Sequence, residues 1–232
     1  PHFAPYINEF ADLVAVCDPN PQSRARFIAQ TGLDLPEFDH HGKLLTEIDV
    51  DAVAIASPNF THKEIAIAAA RAGKHVYCEK AMANSVPQCW EMVQACDDAG
   101  VRLMVGHKRR LRPPWGRMIE LREQLGAPLA ITACAYYDAR PYDHQGWWTE
   151  RDRCGGTLPV IGVHIVDWMR GMCGDVVNVR ALGCNPDFYH VAHIIAGLGY
   201  AAAAAAEQGS SCRCSCTRQA IPLTLSTITG VV

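Results

Sequence analysis

Four short apolar runs, separated by helical segments, organise the first hundred residues of this chain. The runs are Leu13–Cys17, Ala52–Ala56, His75–Cys78 and Val101–Val105. Continuous apolar runs of this length are typical of strands buried on both faces of a sheet. Helices of about 10–15 residues between such strands predict right-handed crossovers and a doubly wound parallel sheet, an α/β fold of the Rossmann type.

After Gly106 the pattern changes to that of a second, α+β domain. The periodicity predicts a helix from Pro113 to Gln124, a strand over Leu129–Tyr137, a helix over Leu158–Met172 and a strand over Val176–Leu182. We expect a Rossmann-like nucleotide-binding domain over residues 1–107, an incomplete substrate domain over 108–195 and an atypical tail over 196–232. The Gly-x-Gly-x-x-Gly phosphate turn and the strand before it are not in this chain, so we expect weak NAD binding.

The net charge argues against some classes of partner, and the cysteine content indicates the cellular compartment. Twenty-one basic and 24 acidic residues give a formal net charge of −3, which provides no strong field for nucleic acid or an anionic membrane. No run reaches the roughly 18–20 apolar residues of a membrane span. The 11 cysteines are odd in number and mostly scattered through apolar stretches, as is typical of free thiols in a reducing compartment. We therefore expect a cytoplasmic protein. We expect no bound metal, because the cysteines near the end of the sequence lack the spacing of a zinc site.

Polar residues follow three of the predicted strands, at the edge where open parallel sheets bind their ligands. Asp18 follows the first run, Ser57-Pro58-Asn59 follows the second with His62 shortly after, and Glu79-Lys80 follows the third. A carboxylate at Asp18 can accept hydrogen bonds from both hydroxyls of an adenosine ribose, and it repels a 2′-phosphate. Turn chemistry explains the first two groups equally well, and a lysine at a strand end is often a solvated rim residue.

The most informative stretch reads Asp51-Ala-Val-Ala-Ile-Ala-Ser-Pro-Asn-Phe-Thr-His62, followed by Ala72-Gly-Lys-His-Val-Tyr-Cys-Glu-Lys80. These segments resemble the glucose–fructose oxidoreductase/inositol dehydrogenase family (Gfo/Idh/MocA), which carries Pro-Asn-x-x-His, then Ala-Gly-Lys-His-Val, then Glu-Lys-Pro at this spacing. The resemblance runs from about Leu13 to Leu182, most of the chain. Ala81 departs from the pattern, because it stands where the family usually has a proline that is often in a cis bond.

A second motif lies in the predicted substrate domain. It reads Cys154-Gly-Gly-Thr-Leu-Pro-Val-Ile-Gly-Val-His164, with Asp167 three residues further on. The family reads roughly Gly-Gly-Gly-x-Leu-x-Asp-x-Gly-x-His-x-x-Asp, so His164 is retained while Val160 replaces the acid. Residues four apart share a helix face, and the resemblance implies that His164 lines the active site. Without the resemblance, a lone histidine on an apolar helix is interpreted as a core residue with its hydrogen bonds satisfied. Asp167 could orient His164 or cap local structure.

Aromatic and basic residues complete the candidate site. Tyr142, Trp147 and Trp148 fall where the family has substrate-facing elements. Aromatic faces pack against the C–H face of a sugar or cyclitol ring, although a sheet face or an interface patch explains them equally well. Arg109 and Arg110 match the family's arginine near the nicotinamide end of the cleft, and solvated charge near a helix is the alternative.

The resemblance implies an oxidoreductase that uses NAD rather than NADP and acts on a secondary alcohol of a sugar, cyclitol or related polyol. Lys80 and His164 are the implied catalytic residues. Lys80 is a cation beside the carbinol oxygen, with transfer of the proton by Lys80 itself as the alternative, and His164 is a general base. The implied cofactor-binding residues are Asp18, Ser57, Pro58, Asn59, His62, Glu79, Lys80 and Arg110. The implied substrate-binding residues are Lys80, Tyr142, Trp147, Trp148, His164 and Asp167.

We also expect the intact enzyme to be a homo-oligomer. Two alternatives remain open from the sequence. One is a non-catalytic nucleotide-binding regulator, which Val160 favours because it replaces the family's acid. The other is an inactive fragment of such an enzyme, which the two ends of the chain favour.

Overall fold

The computed structural model describes residues 9–125, 146–148, 150–156, 158–184 and 193–200. The described chain divides into two units, the first ending at Gly106 and the second beginning at His107. The predicted strand over Leu129–Tyr137 and most of the predicted tail lie outside these residues. In the described part of the chain, no helix combines the length and the apolar character that crossing a membrane requires.

Strands and helices alternate along the first unit, as the sequence predicts. The strands are β1 (Val16–Cys17), β2 (Glu37–Phe38), β3 (Ala52–Ile55), β4 (His75–Cys78) and β5 (Leu103–Val105). The helices are α1 (Pro21–Thr31), α2 (His41–Glu47), α3 (Asn59–Arg71) and α4 (Val86–Asp98). β1 pairs with β2, and β3, β4 and β5 pair in that order, in each case parallel. This pairing confirms the predicted α/β fold of the Rossmann type.

Local signals set the ends of α1. The side chain of Asn20 accepts a hydrogen bond from the N–H of Gln22 at 2.9 Å, which satisfies one of the unpaired donors of the first turn. Pro21 takes the first helical position, where no N–H is needed. Gly32 ends the helix at φ 68°, a left-handed conformation that glycine adopts at little cost.

The core of the first unit lies between the β3–β4–β5 sheet and helices α3 and α4. Three alanines of α3, Ala66, Ala69 and Ala70, are fully buried. Their small side chains allow the helix backbone to approach the sheet closely. They pack with Val76 of β4 and Met92 of α4 in one continuous apolar cluster. This cluster supports the strands whose ends carry the candidate site.

The second unit has short helices and an antiparallel pair of strands. Its elements are a 3₁₀ turn (Lys108–Leu111), α5 (Trp115–Glu120), α6 (Arg122–Leu125), α7 (Arg151–Cys154), a π-helical turn (Leu158–Gly162), α8 (Val163–Cys173), β6 (Val176–Cys184) and β7 (His193–Tyr200). β6 and β7 pair antiparallel, with Val176 opposite Tyr200. The indole N–H of Trp168 donates to the carbonyl of Trp115 at 3.0 Å, and the two rings meet edge to face. This contact packs α5 against α8.

Two predicted helices are interrupted in the structure. The helix predicted over Leu158–Met172 begins as the π-helical turn and continues as α8. Pro159 is the second residue of that turn, where a residue without an N–H is tolerated. The helix predicted from Pro113 to Gln124 is divided at Leu121 into α5 and α6. The sequence analysis did not predict β2, α2 or β7.

Candidate active site

The register of β3, β4 and β5 brings three strand ends to one edge of the sheet. Ile55 lies opposite Cys78, and β5 ends level with both. The N–H of Glu79 donates to the carbonyl of Ile55 at 2.9 Å, and the N–H of Gly106 donates to the carbonyl of Cys78 at 2.8 Å. Glu79 and Lys80 therefore lie between the residues after β3 and those after β5, at the edge where open parallel sheets bind ligands.

Hydrogen bonds close the Ser57-Pro58-Asn59 turn at the start of α3. The hydroxyls of Ser57 and Thr61 are 2.7 Å apart, and the Thr61 hydroxyl donates to the carbonyl of Pro58 at 2.8 Å. Nδ2 of Asn59 donates to Oδ1 of Asn84 at 2.9 Å. The structure thus holds three of the predicted cofactor-binding residues in one ordered turn and ties that turn to the segment after Lys80.

His62 is buried in the first turn of α3, with 1% of its surface exposed. Its Nδ1 lies 2.8 Å from the carbonyl oxygen of Ala81, and its Nε2 lies 2.8 Å from the carbonyl oxygen of Ser57. Burial lowers the pKa of His62, against the opposing effects of main-chain carbonyls and of the Glu79 charge. Both ring nitrogens contact the protein's own main chain, and a direct contact between His62 and a cofactor stays a prediction.

Glu79 is buried and hydrogen-bonded to Tyr77. The Tyr77 hydroxyl donates to Oε1 of Glu79 at 3.2 Å. Burial, reinforced by the Glu79 charge, raises the pKa of Tyr77, which keeps its hydroxyl protonated as a donor. A Cβ at Gly106 would lie 2.5 Å from Oη of Tyr77 and 2.9 Å from Oε1 of Glu79. The two side chains therefore occupy the space that any larger residue at Gly106 would need.

The sequence analysis missed both Tyr77 and Gly106, although the sequence carries a signal for each. Tyr77 precedes Glu79 by two residues, and residues two apart in a strand point to the same face. Gly106 directly follows a predicted strand, where a glycine often marks a close approach.

Lys80, the predicted catalytic lysine, is half-buried at the end of β4. The Lys80–Ala81 peptide bond is cis, at the position where Ala81 departs from the family's Glu-Lys-Pro. Ala81 is itself buried. The structure thus places Lys80 between the buried Glu79 and the residue whose carbonyl contacts His62.

Asp18, the predicted ribose-binding carboxylate, is half-buried at the end of β1. Its Oδ1 accepts a hydrogen bond from the N–H of Asn20 at 2.8 Å, so the turn predicted as the alternative is present. Arg24 donates to the carbonyl of Asp18 at 2.6 Å and pairs with Glu37 at 2.9 Å. A carboxylate can accept about four hydrogen bonds, so Asp18 can accept further hydrogen bonds beside the one in this turn.

Arg110 and Asp167 in the second unit pair side-on with each other. Nε of Arg110 lies 2.8 Å from Oδ2 of Asp167, and Nη2 lies 2.6 Å from Oδ1. The pair ties the 3₁₀ turn to α8, which is a third role beside the two that the sequence analysis considered for Asp167. His164 is half-buried on α8 three residues earlier, and Val160 is buried in the π-helical turn.

The remaining predicted residues are Arg109 and three aromatic residues. Trp147 and Trp148 are half-buried and pack edge to face, with ring centroids 5.5 Å apart. The guanidinium of Arg109 lies 5.1 Å from the ring centroid of Trp115, a cation–π contact. Tyr142 lies outside the described residues.

Known proteins match both parts of the chain. Residues 1–107 match the oxidoreductase family with an NAD-binding Rossmann fold, and residues 117–220 match the GFO/IDH/MocA C-terminal domain. The 1,5-anhydro-D-fructose reductase of Ensifer adhaerens is 36% identical over 136 residues, which cover 57% of this chain and 40% of that protein. The levoglucosan dehydrogenase of Pseudarthrobacter phenanthrenivorans is 30% identical over 172 residues, which cover 72% of this chain and 44% of that protein.

Solved structures give the same assignment. The WlbA dehydrogenase from Bordetella pertussis, crystallised with NADH and UDP-GlcNAcA, matches with a TM-score of 0.73 at 28% identity. The match covers 86% of this chain and 62% of that chain. This chain therefore spans less than two thirds of that structure and less than half of the two curated relatives.

Proposed function

Because the chain belongs to the Gfo/Idh/MocA oxidoreductase family, we propose that it is an NAD-dependent oxidoreductase of sugars, cyclitols or related polyols. This membership confirms the family and the NAD-binding Rossmann class predicted from the sequence. In the proposed reaction, a hydride moves between the nicotinamide and the carbon of a secondary alcohol, and the protein handles the hydroxyl proton. The names of the two curated relatives, which act on anhydro sugars, support this substrate class.

The strand ends of the first unit supply several of the polar groups that bind a dinucleotide. The half-buried carboxylate of Asp18 has acceptor capacity left for ribose hydroxyls, and it disfavours a 2′-phosphate. The ordered Ser57-Pro58-Asn59 turn and the buried Glu79 lie along the carboxyl edge of the next strands. When bound there, NAD supplies the hydride acceptor. These residues support NAD rather than NADP as the cofactor.

Lys80 carries the catalytic part of the proposal. Its position directly after β4, at the carboxyl edge and beside the buried Glu79, is the single observation on which the active site rests. As a cation beside the carbinol oxygen, Lys80 stabilises the developing alkoxide. His164 takes the hydroxyl proton as general base, because an imidazole titrates near neutral pH. The Arg110–Asp167 pair holds the start of the second unit against the helix that carries His164.

The other site assignments are part of the same proposal. Arg110 is assigned to the cofactor, and Tyr142, Trp147, Trp148 and Asp167 are assigned to the substrate. We place the nucleotide-binding domain at residues 1–107, the substrate domain at 108–195 and a tail at 196–232. We further propose that the intact enzyme is a cytoplasmic homo-oligomer.

A non-catalytic NAD-binding regulator is the second candidate. Val160 favours it, since this buried apolar side chain stands where the family pattern has an aspartate beside His164. A regulator of this kind binds the dinucleotide and a sugar without turnover. The retained Lys80 and His164 favour the enzyme.

The test measures NADH binding and turnover in the same protein. NADH affinity is followed by nicotinamide fluorescence, and oxidation of a panel of polyols with NAD is followed by the absorbance of NADH. We expect Lys80→Ala to lower kcat at least about 100-fold, as loss of a group that stabilises a developing oxyanion does, while NADH affinity stays the same. Lys63→Ala is the matched control, because Lys63 is a surface lysine paired with Glu91 at 3.0 Å.

The outcomes separate the two candidates. Turnover that depends on Lys80 and not on Lys63 supports the enzyme. NADH binding without turnover of any polyol supports the regulator. A chain that does not bind NADH contradicts both candidates and supports the inactive fragment, the other alternative that the sequence leaves open.

A further inference from the structure

His62 bridges the residues that follow two neighbouring strands. Its ring lies between the carbonyl oxygen of Ser57, after β3, and that of Ala81, after β4, at 2.8 Å from each. A neutral imidazole has one N–H, so the ring donates to one of these carbonyls and contacts the other through its second nitrogen. At 1% exposure, neither nitrogen is open to a ligand. The contacts of His62 are those of a brace within the protein.

A second contact ties the same two regions together. The side chain of Asn59, which begins α3, donates to Oδ1 of Asn84 at 2.9 Å. The main-chain N–H of Asn84 also donates to Oε1 of Gln88 at 3.1 Å. Residues 81–84, called here the post-lysine segment, are therefore held at their first and last residues by the first turn of α3. Lys80 is the residue directly before this segment.

We propose that His62 is a positioning residue for Lys80, acting through the carbonyl of Ala81, and not a ligand of the cofactor. This inference rests on the proposed catalytic role of Lys80. Because Ala81 is bonded to Lys80, the Ala81 contact sets where the main chain of Lys80 lies relative to the strand ends. The Ser57 contact sets the turn that opens α3. The two contacts of one ring thus keep a catalytic residue and a cofactor-binding turn in a constant relation.

Two substitutions separate these contacts. The amide nitrogen of asparagine is two bonds beyond Cβ, as Nδ1 of histidine is, and that of glutamine matches Nε2. His62→Asn therefore keeps a donor for the Ala81 carbonyl and gives up the Ser57 carbonyl, whereas His62→Gln does the reverse. Both replacements are polar, and asparagine is smaller than glutamine by one methylene group. A higher kcat in His62→Asn therefore cannot come from better filling of the buried site.

The two variants are expected to differ in kcat and not in NADH affinity. Misplacement of a catalytic group by about 1 Å costs on the order of 100-fold in rate. We expect His62→Gln to lower kcat by about 10- to 100-fold with NADH affinity within about threefold of the wild type. His62→Asn should retain most of the wild-type kcat. Thermal unfolding of both variants shows whether the fold is retained.

Hydrogen exchange gives a readout that does not depend on activity. Amides of the post-lysine segment should exchange faster in His62→Gln than in His62→Asn, while the core of α4 exchanges alike in both. If the wild type turns over no polyol, the proposed function fails and this comparison still tests the brace. Equal exchange and equal kcat in the two variants would overturn the proposal. So would a loss of NADH affinity with unchanged kcat, which is the behaviour of a cofactor ligand.

Discussion

Replacement of Gly106 by alanine tests the packing at the site most directly. A Cβ there would lie 2.5 Å from Oη of Tyr77, 2.9 Å from Oε1 of Glu79 and 3.2 Å from Cζ of Tyr77. Gly106 is not among the glycines with positive φ, so its backbone conformation suits alanine and only the side-chain overlap opposes the change. The methyl group must push apart the Tyr77 hydroxyl and the Glu79 carboxylate.

The loss of stability in Gly106→Ala depends on how far the Tyr77 and Glu79 side chains can move. Tyr77 belongs to β4, so its oxygen lies at the end of a rigid, half-buried ring that is fixed to the sheet. Glu79 is buried, so neither oxygen can move away without a shift of its surroundings. Overpacking of this kind costs about 1–3 kcal/mol. We expect the free energy of unfolding of Gly106→Ala to fall by about that amount. Urea unfolding followed by tryptophan fluorescence measures it as a lower midpoint at an unchanged slope.

Two further variants make the reasoning refutable. Tyr77→Phe removes the nearest atom, so Gly106→Ala should cost less in that background, with a coupling above about 0.5 kcal/mol. Gly162→Ala is the matched control, because its Cβ would also lie 2.5 Å from an atom, the Cδ1 end of the partly exposed Leu158. That flexible end can rotate away, so we expect a change within about 0.5 kcal/mol. Equal losses at Gly106 with and without the Tyr77 hydroxyl would refute the explanation.

Three other outcomes follow from the described contacts. Asp18→Ser should raise the affinity for NADPH relative to NADH, measured by nicotinamide fluorescence, and a wild type that prefers NADPH contradicts the role of Asp18. Asp167→Asn should lower the free energy of unfolding in urea by about 1.5–3 kcal/mol, because it breaks a charge-assisted side-on pair. The control Glu120→Gln, in an exposed pair with Arg117, should lower it by less than about 1 kcal/mol. Because burial depresses the pKa of folded His62 below its unfolded value of about 6.5, its contribution to stability is present above that pH and is lost as pH falls toward the folded pKa. Stability should therefore fall less steeply below pH ~6.5 in His62→Gln than in the wild type.

The parallel strands could be predicted because their signals are local. β4 has the predicted bounds, His75–Cys78, and β3 differs from its prediction by one residue. Each is a continuous apolar run followed by polar residues, and each helix between them has a cap or a glycine at its end. In contrast, β2 has two residues and α2 has seven. Neither segment lies in a continuous apolar run like Leu13–Cys17, which predicted β1 although β1 itself has two residues.

The interrupted helix of the second unit shows where the periodicity argument fails. Apolar residues recur through Leu158–Met172 at helical spacing, and the sequence analysis therefore predicted one regular helix. The first turn is π-helical instead, a difference in hydrogen bonding that the apolar pattern of a sequence does not record. The spacing between Val160 and His164 consequently spans two kinds of helix, and a regular α-helical face does not describe it.

Main-chain acceptors explain why the role of His62 could not be read from the sequence. The motif placed His62, Ser57 and Lys80 near one another, since all follow neighbouring parallel strands. The partners of the imidazole are carbonyl oxygens of Ser57 and Ala81, and every residue has such an oxygen whatever its side chain. Which carbonyls a buried ring reaches depends on the register of β3 with β4 and on the angle at which α3 leaves the turn. A histidine that follows Pro-Asn-x-x is therefore open to two readings in sequence, ligand or brace, and only the positions of the main-chain oxygens separate them.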